Sequence, residues 1–229
     1  MDWNTIFFVI WPYISLTILV VVTIYRSIVR PFTISSQSSQ LLENKRLYWG
    51  SISFHYGIVL VLLGHLVALV IPRSVVLWNS VPLRLYLLEI TGLGLGLWAL
   101  AGLLILIFRR ATVRRVQVVT TPMDVVVLVA LLVSVVSGVL VATLYRFGST
   151  WFTGIFSPYL LSLATFSPRV ELVAPLPWLI KVHVINNFVL AAIFPFSRLV
   201  HIFTYPIGYL IRPWQIVLWN RKIRTQRSQ

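Results

Sequence analysis

Five long apolar runs alternate along the chain with polar, mostly basic segments. Each run is long and apolar enough to cross a bilayer as a helix, which takes about 20 residues. The pattern predicts an all-α integral membrane bundle with spans at about Thr5–Tyr25, Tyr48–Ile71, Leu83–Phe108, Met123–Tyr145 and Trp178–Tyr205. Pro12 falls near the start of the first span, where a missing N–H matters least, and Pro72 stops the second. In the third span, Gly92 and Gly96 have the small-xxx-small spacing that lets helices approach closely. Ser134, Ser137 and Gly138 are the small residues of the fourth. The connection Arg146–Pro177 holds Trp151, Phe152 and several prolines, and reads as an interfacial segment rather than another span. No internal repeat of the inverted-transporter kind is present, so residues 1–229 read as one domain with a basic tail at 206–229.

Composition supports this reading. With 59% hydrophobic and only 10% charged residues, and a mean hydropathy of +0.91, the chain carries more apolar surface than a soluble domain needs. It has no cysteine, which excludes disulfides and thiolate-held metals or iron–sulfur clusters within this chain. A net charge of +14 would suggest nucleic acid in a soluble protein. Here the charges sit at span ends, where they set topology and meet anionic lipid. One side of the membrane collects 14 of the 19 basic residues, including Arg109, Arg110, Arg114, Arg115 and the tail. The positive-inside rule makes that side cytoplasmic, with the N-terminus outside. The first span has no basic region ahead of it and reads as a retained helix rather than a cleaved signal.

All four histidines fall in two spans: His55 and His65 in the second, His183 and His201 in the fifth. Polar groups inside lipid are costly and usually functional. The two spans run in opposite directions, so His55 matches His201 in depth on the inner side, and His65 matches His183 on the outer side. Eighteen residues are five helical turns, so His183 and His201 share a face about 27 Å apart, whereas His55 and His65 are about 15 Å apart. A kink at Pro195 in the fifth span reconciles the two rises. Each pair offers two ligands, too few for a zinc site. Haem iron needs two axial ligands, and neutral imidazoles supply them. Gly57 and Gly64 beside the histidines leave room for a flat ring, or serve ordinary helix packing. Hydrogen-bonding histidines or a haem-free proton relay stand as alternatives.

Other polar residues are weighed by position. Arg198, three before His201, is a candidate partner for a haem propionate or a snorkelling arginine. Arg84 and Lys181 lie at the outer side and are candidates for binding a quinol head or for interfacial anchoring, and Glu89 is a candidate proton acceptor from quinol or a partner of Arg84. Asp124 opens the fourth span, where an acid suits the helix dipole.

Several segments resemble the gamma subunit of membrane-bound respiratory nitrate reductase. They are the loop segment Ser38 to Lys45, the F-H-x-G-I…G-H pattern from Phe54 to His65, RRVQVVTTPMD from Arg114 to Asp124, and above all FPFSRLVH from Phe194 to His201. The resemblance runs over essentially the whole chain. It implies a cytochrome b anchor in the cell membrane with two b haems, the outer held by His65 and His183 and the inner by His55 and His201. It further implies oxidation of menaquinol or ubiquinol near the outer haem. Electrons would pass to an iron–sulfur subunit and on to a molybdenum subunit that reduces nitrate to nitrite, both on the cytoplasmic face. The family's lysine just inside the third span is Tyr86 here, with Arg84 nearby. The same anchor would also suit another molybdenum oxidoreductase, such as a nitrite-oxidising complex, because the partner's chemistry sets the direction.

Overall fold

The computed structural model describes residues 2–29 and 42–204. Arg30, Ser38 and the tail at 206–229, with Arg212, Arg221, Lys222, Arg224 and Arg227, lie outside the described residues.

Every regular element among the described residues is helical, and five are long and apolar enough to span a membrane. These are α1 (Trp3–Val29), α2 (Lys45–Val70), α4 (Pro82–Thr112), α6 (Pro122–Leu144) and the fifth span (Trp178–Phe196), whose regular part is α8 (Trp178–Ile193). Proline opens α4 and α6, where its fixed φ suits a first turn and its missing N–H costs nothing. Two short helices fill connections, α3 (Pro72–Asn79) and α5 (Arg114–Val118). The connection after the fourth span folds into α7, made of Gly148–Trp151, a π turn Phe152–Phe156 and Ser157–Ala164. A last short helix, α9, covers His201–Thr204.

The spans pack in the order α2, α4, α6, α8, α1. The closest contact is α2 on α4, and its cause is glycine. A Cβ on Gly102 would lie 2.4 Å from the Phe54 nitrogen, and one on Gly57 would lie 2.8 Å from the Ala99 nitrogen and the Leu95 oxygen. The expected approach at Gly92 and Gly96 does not form: Gly92 has nothing within 4 Å, and Gly96 meets only Val139 at 3.4 Å. Glycine spacing alone does not say which turn faces the neighbour. Gly57 is therefore a packing residue, whereas a Cβ at Gly64, beside His65, would meet nothing within 4 Å.

The segment between the fourth and fifth spans does more than lie at an interface. Phe156, Tyr159, Leu163 and Val173 are buried in the larger apolar core, together with Phe8 of α1 and Leu179, Ile180 and Phe188 of α8. Two hydroxyls fix it. Tyr159 Oη donates to the Phe8 carbonyl at 2.8 Å, and Ser157 Oγ donates to the Ala68 carbonyl at 2.9 Å. Each acceptor lies four residues before a proline, Pro12 or Pro72, and so lacks its ordinary i+4 N–H donor. α7 thus docks on α1 and α2 through carbonyls that the two prolines release.

The fifth span is not one straight helix to Tyr205. α8 ends at Ile193, and two 3-10 turns, Phe194–Phe196 and Arg198–Val200, precede α9. Pro195 forces the break, and Arg26 at the end of α1 donates to the Pro195 carbonyl. His183 and His201 consequently do not sit on one regular face, and the expected 18-residue register does not apply.

Candidate functional site: two histidine pairs

α2 and α8 do not pack closely on each other, yet a histidine of α2 meets one beyond the end of α8. The rings of His55 and His201 have centroids 5.9 Å apart, with planes at 66°. The break at Pro195 lets the chain carry His201 to the level of His55. At the other end, His65 stands against Phe152 and His183 against Ser137. Of the two depth-matched pairs read from the sequence, His55 and His201 are thus in ring contact.

The second nitrogen of each ring shows how the pairs are prepared. His55 Nδ1 lies 2.7 Å from the Ser51 carbonyl, His65 Nδ1 2.8 Å from that of Val61, and His201 Nδ1 2.7 Å from that of Arg198. A carbonyl only accepts, so in each case Nδ1 carries the hydrogen and Nε2 keeps its lone pair. His183 Nδ1 lies 2.9 Å from Ser137 Oγ. That hydroxyl has carbonyl acceptors of its own, Val133 at 2.5 Å and Ser134 at 3.1 Å, so it is free to accept from the imidazole. All four rings thus have one nitrogen anchored and the other available, the arrangement typical of metal-ligating histidine.

α6 is shaped around His183. A Cβ on Gly138 would come within 3.1 Å of the His183 ring, so glycine lets the imidazole lie against α6. Asn186 and Asn187 brace the same contact, the first donating to the Ala130 carbonyl at 2.9 Å, the second accepting from Ser134 Oγ at 2.7 Å. On the other side, Phe152 of α7 stands edge-on to His65, with centroids 5.2 Å apart.

The donor set fits haem iron. Among the described residues no three His, Cys, Asp or Glu side chains cluster. His55 and His201 put two imidazoles, each with Nδ1 anchored, in ring contact with centroids 5.9 Å apart.

The other candidates separate clearly. Arg198 directs its guanidinium at Asp124, with Nε 3.0 Å from Oδ1, and donates to the Val119 carbonyl at 3.2 Å. Glu89 does not pair with Arg84. It caps α7, accepting from the N–H of Gly148 at 3.2 Å, the N–H of Ser149 at 2.9 Å and Ser149 Oγ at 2.5 Å. Arg84 lies over the Trp78 ring at 5.2 Å, and Tyr86 is edge-on to Phe147 at 6.0 Å. Lys181 points towards α1, bonding Asn4 Oδ1 at 3.3 Å and the Ala174 carbonyl at 2.7 Å. Asp124 completes a capping box with Thr121, as its helix-start position implied, and also pairs with Arg110 at 3.2 Å. Ser137, Gly138 and Phe152 escaped the sequence reading as site residues. Ser137 and Gly138 gave a signal there only as small residues of the fourth span.

The comparisons with known proteins agree over nearly the whole chain. The profile of the family described as nitrate reductase gamma subunit matches residues 4–220. The nitrate reductase gamma chain of Bacillus subtilis is 35% identical over 90% of this chain and 94% of its own. The respiratory nitrate reductase 1 gamma chain of Escherichia coli is 29% identical over 93% of this chain and 96% of its own. A nitrate reductase-like protein of Mycobacterium tuberculosis, NarX, is 34% identical over 92% of this chain, which there corresponds to 33% of a longer protein. With five membrane-spanning helices and a match over nearly every residue, the chain belongs to the nitrate reductase gamma subunit family, the membrane component of a multi-subunit oxidoreductase.

Proposed function

We propose that this chain is the electron-relaying b-type cytochrome of a respiratory nitrate reductase, taking electrons from quinol at one membrane face and delivering them to soluble subunits at the other. The observation that carries the reading is the common preparation of the four histidines, each with Nδ1 anchored, together with the ring contact of His55 and His201. His55 and His201 would hold one haem, and His65 and His183 the other. Bound there, each haem would supply one-electron exchange at the iron. The protein's own work is to fix the ring orientations and to keep the two sites at separate depths along α2.

The basic side of the bundle faces the cytoplasm in this reading. Arg109 is buried there against Glu43, and Arg110 is paired with Asp124. Arg114 and Arg115 are exposed and available to an iron–sulfur subunit, which passes electrons to a molybdenum subunit reducing nitrate. Quinol, menaquinol or ubiquinol, would be oxidised near His65 and His183 at the outer face of the cell membrane. Arg84 and Tyr86 remain the residues for its polar head, because Glu89 and Lys181 are committed to partners of their own. Protons released outside while electrons move inward would separate charge.

The test is a dithionite-reduced minus oxidised spectrum of membranes holding the chain with its partner subunits. A b-type α band with two haems per chain supports the proposal. Its absence would leave the haem-free proton relay. His65→Ala should remove one haem together with quinol oxidation, and His201→Ala the other haem with transfer to the soluble subunits. Full occupancy of both haems in either variant would overturn the ligand assignment.

A further inference from the structure

Three of the four histidines sit inside long regular helices, which set their rings: His55 and His65 in α2 and His183 in α8. His201 instead opens the four-residue α9. It follows the break at Pro195 and a 3-10 turn, Arg198–Val200, so no preceding α-helical turn fixes where its ring points. Its Nδ1–H is held by the carbonyl of Arg198, and the position of that carbonyl depends on what holds Arg198.

Asp124 holds it. The carboxylate is nearly buried, at 8% exposure, and reaches three elements. Oδ1 takes Arg198 Nε at 3.0 Å; Oδ2 takes Arg110 Nη1 of α4 at 3.2 Å and the Thr121 N–H, its own helix cap, at 3.0 Å. Arg198 is further fixed through Nη2 to the Val119 carbonyl. The capping box needs only one oxygen and no charge. The second oxygen goes to the segment that carries the ligand, and the charge is shared between Arg198 and Arg110.

We infer that Asp124 is a positioning residue for His201, setting the ring through the chain Asp124, Arg198 side chain, Arg198 carbonyl and His201 Nδ1–H. The inference rests on the proposed haem role of His55 and His201. It predicts that Asp124 acts on one haem alone, since none of its bonds reaches α8, α7 or the outer part of α2.

The test compares Asp124→Asn with Thr121→Ala in membranes holding the chain and its partner subunits, reading haem content and the low-spin resonance of each haem. Asparagine retains the cap acceptor but loses the charge that clamps Arg198. Asp124→Asn should shift or lose the low-spin signal assigned to the His201 haem, lowering the reduced α band towards half, with the other haem unchanged. Thr121→Ala, which weakens the cap and leaves the ion pair, should keep both signals. Asp124→Glu should recover part of the signal lost in asparagine. An unchanged Asp124→Asn spectrum would overturn the inference, as would equal loss in Thr121→Ala, which would reduce Asp124 to a helix cap. Absence of haem from the unsubstituted chain would instead sink the proposed function.

Discussion

Tyr159 donates its hydroxyl to the carbonyl oxygen of Phe8, 2.8 Å away and 151 residues earlier in the chain. Pro12 cannot supply the N–H that this carbonyl would ordinarily receive. Tyr159 is fully buried, so no water replaces its hydroxyl. Tyr159→Phe should therefore destabilise the bundle by about 1–3 kcal/mol, the cost of a buried group left unmade. In a Pro12→Ala background the same substitution should cost less, because residue 12 regains an N–H. Thermal unfolding of the four proteins in detergent gives the coupling; equal costs in both backgrounds would refute the proline argument.

Gly138 is sized by His183. A methyl there would lie 3.1 Å from the ring, tight enough that the imidazole must give by a few tenths of an ångström. Gly138→Ala should perturb the spectrum of the haem assigned to His65 and His183. Gly138→Val should empty that site while sparing the other. Haem quantification with low-spin resonance distinguishes the two, and a valine variant with both haems at full strength would contradict the contact.

Glu89 presents two readings that one pair of variants separates. As the cap of α7 it needs acceptors, not a proton, and glutamine retains one acceptor oxygen. Glu89→Gln should then keep most of the quinol-dependent reduction rate. Glu89→Ala should lose several-fold more, because α7 carries Phe152 against His65. If glutamine proves as damaging as alanine, the carboxylate is a proton acceptor after all.

Glu43 ties the start of α2 to the end of α4. It accepts from the N–H groups of Arg46 at 2.8 Å and Leu47 at 3.3 Å and pairs with buried Arg109 at 2.7 Å. The Arg46 N–H, aided by Arg109 and the Leu47 N–H, holds its carboxyl below the ordinary 4.5. A lowered carboxyl stabilises the fold above its unfolded value, and that contribution is lost as pH falls through the folded value. Melting temperature should therefore drop on acidification below about pH 4.5, and Glu43→Gln should show a shallower drop over the same range. Parallel melting profiles would exclude this linkage.

The sequence by itself determined the spans, because a run of apolar residues of bilayer length has one stable form in lipid, the helix. It also pointed to His55 and His201 as one pair, since span order and direction give the expected depths, and the fold puts their rings in contact. It did not reveal α7 as core, since a short segment rich in aromatics and prolines looks the same at an interface as inside a bundle. Nor did spacing identify the glycines that touch, as Gly102 and Gly57 do and Gly92 does not. The roles of Ser137, Phe152 and Asp124 depend on contacts between residues far apart in the chain. Only the tertiary structure decided those, because side-chain reach is a matter of ångströms and helix rotation, and hydropathy records neither.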